Sequence, residues 1–261
     1  MNEIRKEFDK YRTEKRIEIS SMTTIVQNLG DEITDKEKDL LIRSYIVLTY
    51  AYWESSYHKL QEYLFKVYQE IPIANLPHEL KNKVYLKLIS EHSGIQRTKA
   101  IKDISNHTFF DNLHLNMHKN ETETVSTLGS DNYKFIFISK TANPSINLFE
   151  SLLRDYGFNL TKIIKGNSEI GNLDSYLVKG IEFLIKQRNA IAHKNEHISY
   201  NEITYEDYSS CIKAFEEQND MNSKPAEEFI KELGFQIDSF FRVVLNEVET
   251  KNKERDMLEN V

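Results

Sequence analysis

Between Gly30 and Pro72 the chain runs without a single glycine or proline, and this stretch limits the fold more than any other. These two residue types interrupt helices most strongly, so their absence leaves nothing local to stop one. The start is marked as well: Thr34 followed three residues later by Glu37 is a capping-box pattern. A helix from Thr34 to Glu70 would be roughly 50 Å long at 1.5 Å per residue. Leu41, Tyr45, Leu48 and Tyr52, then Leu60, Leu64 and Val67, recur at helical spacing and are core candidates. Around Ile46 to Trp53 the helix is apolar on most of its circumference, which calls for neighbours on more than one face.

The rest of the chain supplies those neighbours. Only 8 glycines and 4 prolines occur in 261 residues, too little turn punctuation for a sandwich or barrel. Ile4, Phe8 and Tyr11, then Ile19, Met22, Ile25, Val26 and Leu29, form a helical pattern that Gly30 closes. After Pro77 a helix runs through Leu80, Val84, Tyr85 and Leu88. Asn143-Pro144 opens another, with Ile146, Phe149, Leu152 and Leu153, and Gly157 closes it. Leu177, Ile181, Leu184 and Ile185 mark a helix over about Ser175 to Ala192. A polar loop, HKNEHIS, precedes a helix capped by Thr204 and Asp207. The last helix starts near Pro225, carries Phe229, Leu233, Ile237, Phe240, Phe241, Val244 and Val248, and ends in a fraying tail, KNKERDMLENV. Ser90 to Asn143 is less regular, with helices about Lys99 to Asn106 and a strand-like run, Tyr133 to Ser139. The expectation is one all-α bundle of long helices over 1–261, with an insertion or elaboration at about 90–143.

Charge and cysteine usage bound the environment. A single cysteine, Cys211, excludes an intramolecular disulfide and fits a reducing compartment. The opening MNEIRKEFDKYRTEKR lacks a basic-then-apolar leader, and Tyr45 to Trp53 is too short to span a bilayer. These features point to a cytoplasmic chain without a membrane partner. The net charge of −7 opposes broad phosphate tracking, so any RNA function needs a local basic cleft.

One hexapeptide carries chemistry: RNAIAH, residues 188–193. Arg188 offers a planar guanidinium matched to phosphate oxygens, Asn189 a hydrogen-bonding amide, and His193 a proton-transfer group with a pKa near neutrality. Such a set can cleave RNA without a metal. The geometry sets a condition, because positions five apart on an α-helix are rotated by about 140°. Arg188 and His193 therefore meet only where the helix ends or distorts, whereas Asn189 and His193 share a face. Taken alone, the hexapeptide is also what a helix C-terminus favours through its dipole. His114 and His118, four apart, lack both the glutamate of HExxH and a third ligand, so no metal or cofactor is assigned. Tyr200, Tyr205 and Tyr208 read as packing rather than base-stacking groups, as do Tyr52 and Trp53. No phosphate-cradling GxxxxGK[ST], GxGxxG or GxSxG motif is present.

LVKGIEFLIKQRNAIAHKNE resembles the signature of the HEPN superfamily: an apolar helix leading into an arginine, an adjacent polar residue and a histidine a few positions on. Upstream, IVLTYAYWESSYHKLQEYL resembles the YAxWE-type helix of stand-alone bacterial HEPN proteins, the MAE-type branch found in toxin and defence loci. The two motifs lie about 135 residues apart in the family's order. The resemblance implies a helical bundle that forms a homodimer, with two copies of the motif across a shared cleft. It also implies a metal-independent endoribonuclease of a toxin-antitoxin or antiviral system, with RNA as substrate and a cognate antitoxin or defence partner. Arg188, His193 and Asn189 match the motif positions, and Glu54 of YAYWE would be the acidic residue orienting Arg188 or His193. The alternative is a catalytically silent HEPN dimer acting as a binding or assembly module.

Overall fold

A computed structural model describes residues 2–29, 33–92, 121–139, 143–165, 173–193 and 226–259. Their elements are α1 (Asn2–Leu29), α2 (Asp35–Tyr68), a 3-10 turn (Ile73–Asn75), α3 (His78–His92), α4 (Val125–Phe137), α5 (Ile146–Asp155), α6 (Leu160–Lys165), α7 (Leu173–His193) and α8 (Ala226–Glu259). The fold is all-α, as the spacing of apolar residues predicts. Among the described residues no helix is long and apolar enough to cross a membrane.

The capping box forms as the sequence specifies. Glu37 Oε2 accepts from the Thr34 N–H at 2.8 Å, and Thr34 Oγ1 accepts from the Glu37 N–H at 3.4 Å. Thus α2 starts at Asp35 and runs without interruption to Tyr68, two residues short of Glu70. The chain divides into two compact units, one of 2–59, 142–149 and 160–261 and one of 60–141 and 150–159.

The first unit is built around Trp53, which is fully buried. Its ring packs against Phe149, Phe240 and Phe241 with centroids 5.6, 6.2 and 5.5 Å away. Each such aromatic side chain contributes on the order of 2 kcal/mol through its burial. The indole N–H donates to the Pro144 carbonyl at 2.6 Å, so this ring also anchors the Asn143-Pro144 segment to α2. Helices α1 and α7 both pack on α8. Two glycines allow the closest approaches: a Cβ on Gly180 of α7 would lie 2.5 Å from Leu233 Cδ1, and one on Gly234 of α8 would lie 2.9 Å from Ile19 Cδ1. Next to the first of these, Phe183 and Phe229 meet edge to face at 5.6 Å. A buried polar cluster also joins the helices. Asp238 Oδ1 accepts from Arg12 Nε at 3.1 Å and from the Tyr52 hydroxyl at 2.9 Å. Tyr52 is therefore core, and its hydroxyl is satisfied inside the bundle.

In the second unit Tyr68 and Tyr156 meet edge to face at 4.9 Å, and Phe65 packs on Phe137 at 5.3 Å. An isolated antiparallel bridge joins Pro72 to Thr124, supported by Ile73 N–H to the Glu123 carbonyl at 2.8 Å. Thr124 then caps α4 with a reciprocal Thr127 bond. Here the structure corrects the strand expected over Tyr133 to Ser139: Tyr133–Phe137 is helical. The alternating aromatics misled because positions 133 and 137 satisfy both periods. Tyr133 and Phe137 are buried four apart on one helical face, while Phe135 between them is 61% exposed. Gly129, with φ of 99°, breaks α4 in the middle. Gly157 closes α5 as expected, at φ 75°. Its N–H donates to the Arg154 carbonyl and the Phe158 N–H to the Leu153 carbonyl, both at 2.9 Å, a Schellman closure.

The C-terminal tail also differs from expectation. Instead of fraying after Thr250, α8 continues to Glu259. Asn252 is buried, and burial pushes the Lys251 amine below its ordinary value. The helices expected about Lys99 to Asn106 and after Thr204 lie outside the described residues, as does the HKNEHIS loop beyond His193.

Candidate active site

Helix α7 sets the first half of the site. Leu177, Ile181 and Leu184 are buried, and the next position on that stripe is Arg188. The side chain that continues an inward-facing apolar row is thus a cation, and it is half-buried. Its guanidinium carbon lies 5.2 Å from the centroid of the Tyr50 ring on α2. A cation over an aromatic face is worth about 0.5–2 kcal/mol, more as water is excluded. Arg188 Nη1 also donates to Asn189 Oδ1 at 3.0 Å, leaving other N–H groups of the fork for an anion.

Helix α2 supplies the second half. Tyr50 and Glu54 are four apart and share a face. The Tyr50 hydroxyl lies 3.2 Å from Glu54 Oε1 and 2.7 Å from Asn143 Oδ1, and its single hydrogen is shared between these acceptors. Glu54 Oε1 also accepts from the Asn143 N–H at 3.4 Å. Asn143 adopts a left-handed φ of 57°, a conformation asparagine tolerates better than most residues. The result is a buried tyrosine between a carboxylate and a guanidinium. Burial pushes the Tyr50 phenol up, the charge and hydrogen bond of Glu54 add to that, and the Arg188 charge opposes it. Tyr50 therefore stays protonated and remains a donor across the physiological range.

The four residues expected at the site are placed as follows. Arg188 and Asn189 are in direct contact. Glu54 joins them through Tyr50: no ion pair within 4 Å links Glu54 to Arg188, and the ring of Tyr50 lies against the guanidinium. His193 is the last residue of α7, which is helical without interruption from Arg188 onward. Around that axis His193 is rotated by about 140° from Arg188 and about 40° from Asn189. Of the two geometric conditions, distortion or helix end, the second holds.

Sequence reasoning did not single out Tyr50 or Asn143. Tyr50 carried a usable signal, its i,i+4 relation to Glu54, whereas Asn143 is 89 residues from Glu54 and carried none. His114, His118, Tyr200, Tyr205 and Tyr208 lie outside the described residues. Among the described residues no group of three or more His, Cys, Asp or Glu side chains is arranged to hold a metal ion.

Residues 12–233 match the family model described as RiboL-PSP-HEPN. No curated protein and no solved structure matches the chain.

Proposed function

Because the chain belongs to the RiboL-PSP-HEPN family, within the HEPN superfamily, we propose that it is a metal-independent endoribonuclease acting as a homodimer. HEPN membership points to a nuclease or RNA-related function. One observation carries the finer reading: the two sequence motifs, YAYWE on α2 and RNAIAH on α7, converge on Tyr50. Convergence of a guanidinium, an amide and a carboxylate-backed phenol is what phosphodiester chemistry requires of a positioning site.

In the proposed reaction the His193 imidazole takes the proton of a ribose 2′-OH. The 2′-oxygen attacks the adjacent phosphorus, the bond from phosphorus to the 5′-oxygen breaks, and a protonated imidazole returns a proton to that oxygen. The products are a 2′,3′-cyclic phosphate and a free 5′-hydroxyl. Arg188 stabilises the charge that grows on the phosphorane oxygens, a role for which its planar fork is better suited than an ammonium. Asn189 and Tyr50 position Arg188, and Glu54 holds Tyr50. The motif resemblance places such an activity in a toxin-antitoxin or antiviral defence setting in the cytoplasm, with a cognate antitoxin or defence partner.

Purified protein is expected to cut RNA in excess EDTA and to leave cyclic phosphate ends. Arg188→Lys and His193→Ala are each expected to lower the rate by at least about a hundredfold, while thermal unfolding stays unchanged. Activity lost in EDTA would overturn the metal-independent mechanism. Tight RNA binding without cleavage would assign the chain instead to the silent, assembly-type HEPN modules.

A further inference from the structure

A groove between α1 and α8 lies apart from the RNAIAH site. Arg5, Asp9, Arg12 and Arg16 recur every three or four residues along one face of α1, and Asp238 and Arg242 face them from α8. The cavity holds about 300 Å³. Tyr52, whose hydroxyl binds Asp238, is rotated by about 200° around α2 from both Tyr50 and Glu54. The groove and the Arg188 cluster therefore address opposite faces of that helix.

The charges in the groove are unequally satisfied. Asp9 binds Arg5 Nε through one oxygen and Arg12 Nη1 through the other, each at 2.8 Å. Asp238 Oδ1 is occupied by Arg12 and Tyr52, and Arg12 Nη2 also reaches the Asp238 carbonyl at 3.1 Å. Arg5 is further held by Asn246 Oδ1 at 2.9 Å. Both lining carboxylates are thus engaged by the inner arginines, which tie α1 to α8. Among the described residues Arg16 has no carboxylate within 4 Å, and the lining as a whole sets four arginines against two aspartates. This excess of positive charge sits in a chain of net charge −7. Every cation in the lining is an arginine, the residue whose fork matches phosphate oxygens in pairs. Arg16 and Arg242 are exposed at the groove and able to reach a ligand.

We propose that this groove is a phosphate-binding site, taking a phosphate carried either on an RNA strand or on a free nucleotide. It meets the need for a local basic cleft in an acidic chain. Arg5, Asp9, Asp238 and Arg242 fall outside the stretch that matches the family model, so the site does not follow from that match. Nor does it depend on cleavage.

The test is titration of the full chain with three probes at low salt: a labelled 2′-O-methyl single strand of mixed sequence, which has no 2′-hydroxyl to attack, AMP, and inorganic phosphate. Wild type is compared with Arg16→Gln, Arg242→Gln and the double variant. Both positions are exposed, and unfolding midpoints close to wild type will show that the fold is kept. Each substitution is expected to weaken binding about tenfold, and the double variant to abolish most of it. Loss confined to the oligonucleotide identifies a strand phosphate as the ligand; loss with AMP or phosphate identifies a free one. Wild type that binds none of the probes, or a double variant that binds all of them as wild type does, overturns the site. If ordinary RNA is bound but never cut, the ribonuclease reading fails while this one stands.

Discussion

Tyr50 makes two separable contributions, a ring face 5.2 Å from the Arg188 guanidinium and a hydroxyl shared by Glu54 and Asn143. Tyr50→Phe keeps the first and removes the second, leaving Glu54 with the Asn143 N–H alone. A net hydrogen bond is worth about 1 kcal/mol, so single-turnover RNA cleavage is expected to slow about fivefold. Tyr50→Leu removes the aromatic face as well, and a further slowing of about fivefold follows from the lost cation–π contact. Equal rates for the two variants would show that the ring does nothing for Arg188. Because Tyr50 acts through another residue, the expected pattern is a fall in kcat with KM little changed, which a merely destabilised fold would not produce.

The elements are delimited by devices that the local sequence spells out, and the N-terminus of α2 is the most readily tested. Backbone and hydroxyl bonds from Thr34 hold the Glu37 carboxyl below its ordinary value of 4.5. A carboxylate depressed in the folded state stabilises the fold fully above its unfolded pKa and loses that contribution as pH falls through the lowered folded value. Glu37→Gln keeps an acceptor and removes the charge. The gap in unfolding temperature between wild type and this variant should be widest near neutral pH and close in acid. A gap that does not move with pH would mean that the carboxylate is not engaged by the cap. Element contacts, by contrast, rest on residues that look unremarkable in isolation. Gly180 is a weak helix former, yet any Cβ there would press on the fully buried Leu233.

At the scale of the molecule, an unbroken α7 bears on how a dimer would work. Since Arg188 and His193 are about 140° apart on one helix, the proposed composite cleft pairs the arginine of one protomer with the histidine of the other. Arg188→Ala and His193→Ala proteins, each inactive alone, should then recover activity when unfolded together and refolded as a mixture. Random pairing makes half the dimers mixed with one intact site each, so recovery of about a quarter of wild-type activity is expected. No recovery would mean that each protomer uses its own pair.

The sequence by itself determined the all-α class, the limits of α1 and α5, the start of α2 and the family, because caps, glycine stops and helical periodicity act over a few residues. It also located Arg188 at the end of a buried stripe, since spacing on one helix is a local property. Tertiary structure decided what that stripe faces. Tyr50 beneath Arg188, Asn143 against Glu54 and the pairing of Arg12 with Asp238 join positions far apart in the chain, and no local periodicity encodes such partners. The same reason explains the strand that proved to be helix: Tyr133 and Phe137 fit either period, and burial against Phe65 and Tyr156 made the choice.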